Sequence, residues 1–199
     1  FTSLSGESGG WNGIAFDNGS DGGGAYSVLE HCIVENGGQS CSWGAYNITC
    51  YESDAPTLKH TTIRNSAGTG IAVIGATMDS CTVSANATSG VIAIGDASVT
   101  NCVVSSNGGY GVASTTSEVV RIHNCSITGN AGAPIVYTDM QSMDLLGNSF
   151  DGNGVESIEL GGGHIETDKV LPCQDGEPYH VVDALTISDC DGCATLTVE

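Results

Sequence analysis

TMDSCTVSANATSGVIAIGDASVTNCVVSSNGGYGVAS, residues 77–114, says one phrase twice. Met78-x-x-Cys81-x-Val83-x-x-Asn86 returns as Val99-x-x-Cys102-x-Val104-x-x-Asn107, and Gly90-Val91 returns as Gly111-Val112. Outward from this pair the phrase recurs along most of the chain. An aliphatic column holds Leu29, Leu58, Met78, Val99, Ile122 and Leu145. Three residues on stand Cys32, Thr61, Cys81, Cys102, Cys125 and Asn148, and two further on Val34, Ile63, Val83, Val104, Ile127 and Phe150. Asn36, Asn65, Asn86, Asn107, Asn130 and Asn153 close each phrase, and a later aliphatic column runs Ile71, Val91, Val112, Ile135 and Ile158, with Ile14 at its head.

Repeats of this length made of helices need two amphipathic segments each, and no 3.6-residue periodicity is present. Apolar residues instead alternate over short stretches broken by Asn, Gly and Ser, which is the pattern of short strands and tight turns. Such a repeat stacks as the coils of a parallel β-solenoid, each about 4.8 Å above the last, so that like residues lie on like. The cysteines then form an interior ladder of small apolar thiols. The asparagines form a turn ladder, because Asn tolerates a left-handed turn and its amide can bond to the coils above and below. Removing one such buried amide should cost about 1–2 kcal/mol.

The columns resemble the right-handed parallel β-helix repeat of pectate-lyase-like proteins, and the opening FTSLSGESGGWNGIAF is similar to the start of such domains in secreted bacterial surface proteins. The resemblance spans roughly residues 1–160. It implies an all-β, right-handed parallel β-helix of about seven coils. Its members include lyases, hydrolases, adhesins and domains without activity, so it implies no single function.

The 199 residues suit one domain, and Phe1 opens in mid-phrase, as in a piece of a longer chain. Twenty-three Asp and Glu against four Lys and Arg give a net charge of −19. That excludes nucleic acid and anionic membranes as partners, since both demand a basic surface. No run of 18 apolar residues is present, so no membrane-inserting helix is expected. Acidity of this kind suits a salty or extracellular medium. No cofactor is implied; calcium is the one ion the carboxylates would suit.

Two stretches interrupt the period: about 37–56, with Cys41, Trp43, Tyr46, Cys50 and Tyr51, and about 161–183, with Cys173. Both read as loops inserted in a single domain over residues 1–199, followed by a last coil in which Ile187-x-x-Cys190 would continue the cysteine ladder. Of nine cysteines, Cys32, Cys81, Cys102 and Cys125 read as buried free thiols. Cys41 with Cys50 would staple the first insertion, and Cys173 with Cys193 or Cys190 the second, which implies an oxidising compartment. The alternative for Cys190-Asp-Gly-Cys193 is half of a zinc site or a redox pair, but no second CxxC or nearby His pair completes a zinc site.

For catalysis the chain offers little. Polysaccharide lyases need a base and a cation, and the only basic cluster is Lys59, His60 and Arg64, with Arg121 and His123 further on. Lys59 and Arg64 could share a face. Glycoside hydrolases need two carboxylates about 5–10 Å apart; Asp151, Glu156, Glu159, Asp189 and Asp191 supply numbers without a motif. Asn47, Asn86 and Asn124 begin glycosylation sequons, but Asn86 is a ladder residue and Asn124 adjoins the cysteine column, so burial argues against both. Six of eleven aromatics fall between Trp11 and Tyr51. They either cap the open end of the solenoid or stack on sugar rings. In the second case Trp43, Tyr46 and Tyr51 form the ligand surface and Trp11 extends it. The expectation is an extracellular or cell-surface, non-catalytic module for adhesion or carbohydrate recognition, or a rigid spacer. The alternative is a polysaccharide lyase or glycoside hydrolase.

Overall fold

The computed structural model describes residues 1–16, 27–40, 44–50, 56–116, 118–139, 143–187 and 194–199. Three parallel sheets wind as a β-solenoid. Sheet A has eight strands: Ile14–Phe16, Tyr46–Cys50, Thr69–Ile74, Val91–Ile94, Val112–Ser114, Ile135–Tyr137, Ile158–Leu160 and Tyr179–Val181. Sheet B runs from Val28–Glu30 through Thr57–Lys59, Thr77–Asp79, Ser98–Thr100 and Val120–His123 to Met143–Leu146. Sheet C runs from Ile33–Glu35 through Thr62–Arg64, Thr82–Ser84, Val103–Ser105 and Ser126–Thr128 to Ser149–Asp151. Each coil takes one strand from B, C and A in turn, which gives about six complete coils.

The register is the one the columns predict. Leu58 pairs with Met78, Met78 with Val99 and Val99 with Ile122 in sheet B. In sheet C the file is Val34, Ile63, Val83, Val104, Ile127 and Phe150. Most of these short strands bury only the middle residue and turn its neighbours outward. Leu58, Ile63, Met78, Val83, Val99, Val104, Ile122 and Ile127 are all fully buried. At about 1.5–3 kcal/mol per buried aliphatic side chain, these files dominate the stability.

Between sheets B and C every coil turns on one left-handed residue: His31, His60, Ser80, Asn101, Asn124 or Gly147. The next residue forms the Cys32–Thr61–Cys81–Cys102–Cys125–Asn148 column, buried from Thr61 onward, whereas Cys32, expected to be buried, is only half-buried because it belongs to the first coil and has no coil above it. The Cys102 Sγ donates to the Thr100 carbonyl at 3.1 Å, and Asn148 Oδ1 accepts from the Cys125 N–H at 2.9 Å.

The second turn corrects the sequence reading. Asn36 and Asn65 do not belong to the asparagine ladder. They stand two residues after Val34 and Ile63, whereas Asn86, Asn107, Asn130 and Asn153 stand three after their own file members. Asn36 and Asn65 therefore occupy the left-handed position, with φ of 61° and 56°, that Ala85, Ser106, Gly129 and Gly152 fill in later coils. The buried rung beside them is Gly37 and Ser66. The four true members are linked: Asn86 Nδ2 donates to Asn107 Oδ1, Asn107 Nδ2 to Asn130 Oδ1 and Asn130 Nδ2 to Asn153 Oδ1, at 2.9–3.0 Å. Each Oδ1 also accepts the backbone N–H of the rung above, at 3.0–3.1 Å. At the Gly37 rung, Asn47 takes over: its Oδ1 accepts the Gly37 N–H at 2.8 Å and its Nδ2 donates to the Arg64 carbonyl at 2.7 Å. The glycine of the Gly-aliphatic pair makes room for this ladder. A Cβ on Gly90 would lie 2.7 Å from Asn107 Nδ2 and 2.6 Å from Val104 Cγ1.

Neither expected insertion is simply a loop. The first contains the Tyr46–Cys50 strand, in which Cys50 pairs with Phe16 on one side and Val73 on the other. Cys50 is fully buried with a free thiol, and Cys41, its expected partner in the staple, lies outside the described residues. Strand alternation sets Cys50 on the same inward side as the fully buried Ile48. The stretch 161–183 carries three strands: Gly163–Ile165, Lys169–Leu171 and Tyr179–Val181. The first two pair with Leu185–Ile187 and Leu196–Val198 in two narrow sheets, and the third extends sheet A. Ile165 and Leu171 are buried, so this is a further coil of altered cross-section. Gln174 continues the interior column below Asn148, accepting its N–H and Nδ2–H at 3.3 and 3.1 Å. Cys173 beside it is exposed and free. Cys41, Cys190, Cys193, Trp43 and Tyr51 lie outside the described residues.

Candidate functional site

With the core filled by aliphatic files, whatever the protein presents must come from the outward residues of the sheets and from the turns. Sheet C shows Thr62, Thr82, Val103, Ser126 and Ser149 in one outward row, and Glu35, Arg64, Ser84, Ser105, Thr128 and Asp151 in the other. Sheet B shows Thr57, Thr77, Ser98, Arg121 and Asp144, and Glu30, Lys59, Asp79, Thr100 and His123. The strand spacing repeats these short hydroxyls about every 4.8 Å.

Charges on these faces are matched locally. Arg64 Nε donates to Glu35 Oε2 at 2.7 Å. Asp144 takes both basic side chains of the preceding strand, His123 Nε2 at 2.9 Å and Arg121 Nε at 3.4 Å. Lys59 is flanked in register by Glu30 and Asp79. Lys59 and Arg64 do not share a face: Lys59 is on sheet B, Arg64 is on sheet C, and the His60–Thr61 turn separates them. Hydrogen bonds hold the Asp79 carboxyl below the usual carboxylate range, chiefly that from Asn101 Nδ2 at 2.7 Å, then those from Ser80 and Thr100. Toward the C-terminal end, burial and the neighbouring Glu156 and Asp175 push the Glu177 carboxyl up.

The expected aromatic surface divides. Trp11 is half-buried against the core. Its indole N–H donates to the Glu35 carbonyl at 2.9 Å, and it packs over Gly37, where a Cβ would lie 3.2 Å from Nε1. Trp11 thus closes the first coil. Tyr46, half-buried on its sheet A strand, pairs with Thr69 and lies against Gly44.

The carboxylate candidates are dispersed: Asp151 on sheet C, Glu159 on sheet A, and Glu156 in a turn, while Asp189 and Asp191 lie outside the described residues. An open depression of about 340 Å³ is lined by Gly75, Gly95, Asp96 and Glu118, and neither carboxylate was among the candidates read from the sequence. Among the described residues no cluster of three or more metal-ligating side chains forms, and no helix is long and apolar enough to cross a membrane. Of the three sequons, Asn47 and Asn86 are buried and serve the ladder, whereas Asn124 is an exposed left-handed turn residue rather than a buried one.

Residues 1–155 and 73–196 match the family described as the right-handed beta helix region. The chain belongs to that family, which supplies the hand of the winding. No curated protein and no solved structure matches it.

Proposed function

We propose that this domain is a non-catalytic extracellular β-helix module that recognises glycans, or supports adhesion, through its outward faces. The observation that carries the reading is the local matching of charge. Arg64, Arg121 and His123, which a lyase would need as free base and cation, are each held by a carboxylate on a flat sheet. What remains to a ligand is rows of Thr and Ser hydroxyls at a fixed spacing, suited to repeated hydroxyl–hydroxyl hydrogen bonds with a polymer. The −19 charge favours neutral polysaccharides over acidic ones. A glycan array probed with the folded chain tests this. Binding to neutral glycans, abolished by thermal unfolding, is the expected result. Turnover of any polysaccharide in a parallel lyase and hydrolase assay refutes it.

One observation favours an enzyme. Asp96 and Glu118 face a common depression, and two carboxylates are what glycoside hydrolysis requires. Hydrolysis that Asp96→Asn and Glu118→Gln each abolish would establish that reading in place of the first.

A further inference from the structure

The turn between sheets B and C puts His31 directly above His60. Both are locked in the left-handed region, φ 53° and 47°, and both are anchored by their backbones: His31 N–H to the Lys59 carbonyl at 3.1 Å, His60 N–H to the Asp79 carbonyl at 3.2 Å. Left-handed residues on adjacent rungs send their side chains out in parallel. The two imidazoles accordingly stack with centroids 4.9 Å apart and planes within 9°. The His31 side chain is 72% exposed, and Glu30 Oε1 lies 3.7 Å from its Nε2. A left-handed turn is equally served by Ser80, Asn101 or Gly147 in other coils, so turn geometry alone does not call for two histidines.

We propose that His31 and His60 form a two-imidazole site for a borderline transition-metal dication such as Ni²⁺, Zn²⁺ or Cu²⁺. Imidazole nitrogen is the preferred donor for this class, whereas calcium and magnesium take oxygen. With metal–nitrogen bonds of about 2.0–2.1 Å, two nitrogens on one ion lie between about 3.4 Å apart in a tetrahedral site and 4.2 Å in a linear one. Because an imidazole lone pair lies in the plane of its ring, the stacked rings must turn about their side-chain torsions until both lone pairs meet at one ion, which exposed side chains achieve without moving the backbone. Glu30 adds a negative charge beside the pair, and the acidic chain concentrates dications at its surface. The remaining coordination positions face solvent, open to water or to a ligand from a partner.

Calorimetric titration of the whole chain with Ni²⁺, and separately with Ca²⁺, tests the site. His31→Asn and His60→Asn keep a residue that tolerates the left-handed turn, so both variants should fold and show wild-type circular dichroism. One saturable Ni²⁺ site, weakened about tenfold or more by either substitution and untouched by His180→Asn, is expected. Any Ca²⁺ binding should be the same in all four proteins. Absence of a saturable Ni²⁺ site, or Ni²⁺ binding that survives both turn substitutions, overturns the assignment, the second outcome leaving only general attraction to carboxylates.

Discussion

Asn107→Ala is the sharpest test of how this solenoid is held together. The Asn107 side chain works in both directions. Its Oδ1 accepts the backbone N–H of Asn86 at 3.1 Å and the Asn86 Nδ2–H at 2.9 Å; its Nδ2 donates to Asn130 Oδ1 at 2.9 Å and to the Val83 carbonyl at 3.4 Å. Asn86 and Asn107 are each only 2% exposed. Alanine leaves two buried donors of Asn86 without their acceptor and removes a donor from Asn130. An orphaned buried donor costs about 1–3 kcal/mol, so the loss should be about 3–4 kcal/mol, above the 1–2 kcal/mol of a single amide. Asn65→Ala is the control. Asn65 was expected in the same column, but it holds a half-buried left-handed position, where alanine costs about 1–2 kcal/mol and glycine nothing. Urea unfolding followed by far-UV circular dichroism measures both. Equal costs for the two alanine variants, or a loss below about 1 kcal/mol at Asn107, would refute the ladder as the source of stability.

Other outcomes follow from single residues. Ser114 Oγ is buried without a hydrogen-bond partner, in a file where Ala93 stands one coil away. Ser114→Ala should therefore stabilise by about 0.5–1.5 kcal/mol in the same urea experiment, and a loss would contradict its being unpaired. Asn101→Ala should raise the Asp79 pKa toward the ordinary carboxylate value, read by carboxyl carbon NMR. Because a depressed carboxyl stabilises the fold above its unfolded pKa and that stability is lost as pH falls through the folded pKa, the variant should also lose less stability across that acid window. Cys173 should alkylate in the native protein, while Cys50, whose thiol burial pushes up to about 12, should alkylate only after denaturation and without reductant. A reductant requirement at Cys50 would restore the disulfide. Finally, 1 M NaCl (Debye length about 3 Å) should raise the melting temperature by screening the −19 charge.

The sequence by itself determined the fold and most of the register. Burial selects the middle residue of each strand, and parallel stacking puts the same position above itself, so Leu58, Met78, Val99 and Ile122 show in the sequence as a column. The same logic marked Cys81, Cys102 and Cys125 as interior. It failed where one coil differs from the next by a single residue. Asn36 and Asn65 look like ladder members because Asn is suited both to a left-handed turn and to a buried amide rung, and only the backbone says which. Cys50 was misplaced because a strand of sheet A lies inside a stretch whose length suggested a loop. The 161–183 coil was missed because Gln174 replaces the small interior residue, and its first two strands pair with chain that follows rather than with the preceding repeats of sheets B and C. Contacts across the coils were beyond reach of the sequence. Asn47 reaching the Gly37 rung, Asp144 collecting Arg121 and His123, and the stacking of His31 on His60 depend on which outward side chains the winding sets within a few ångströms of each other. That is fixed by turn geometry and side-chain direction, which leave no periodic trace in the chain.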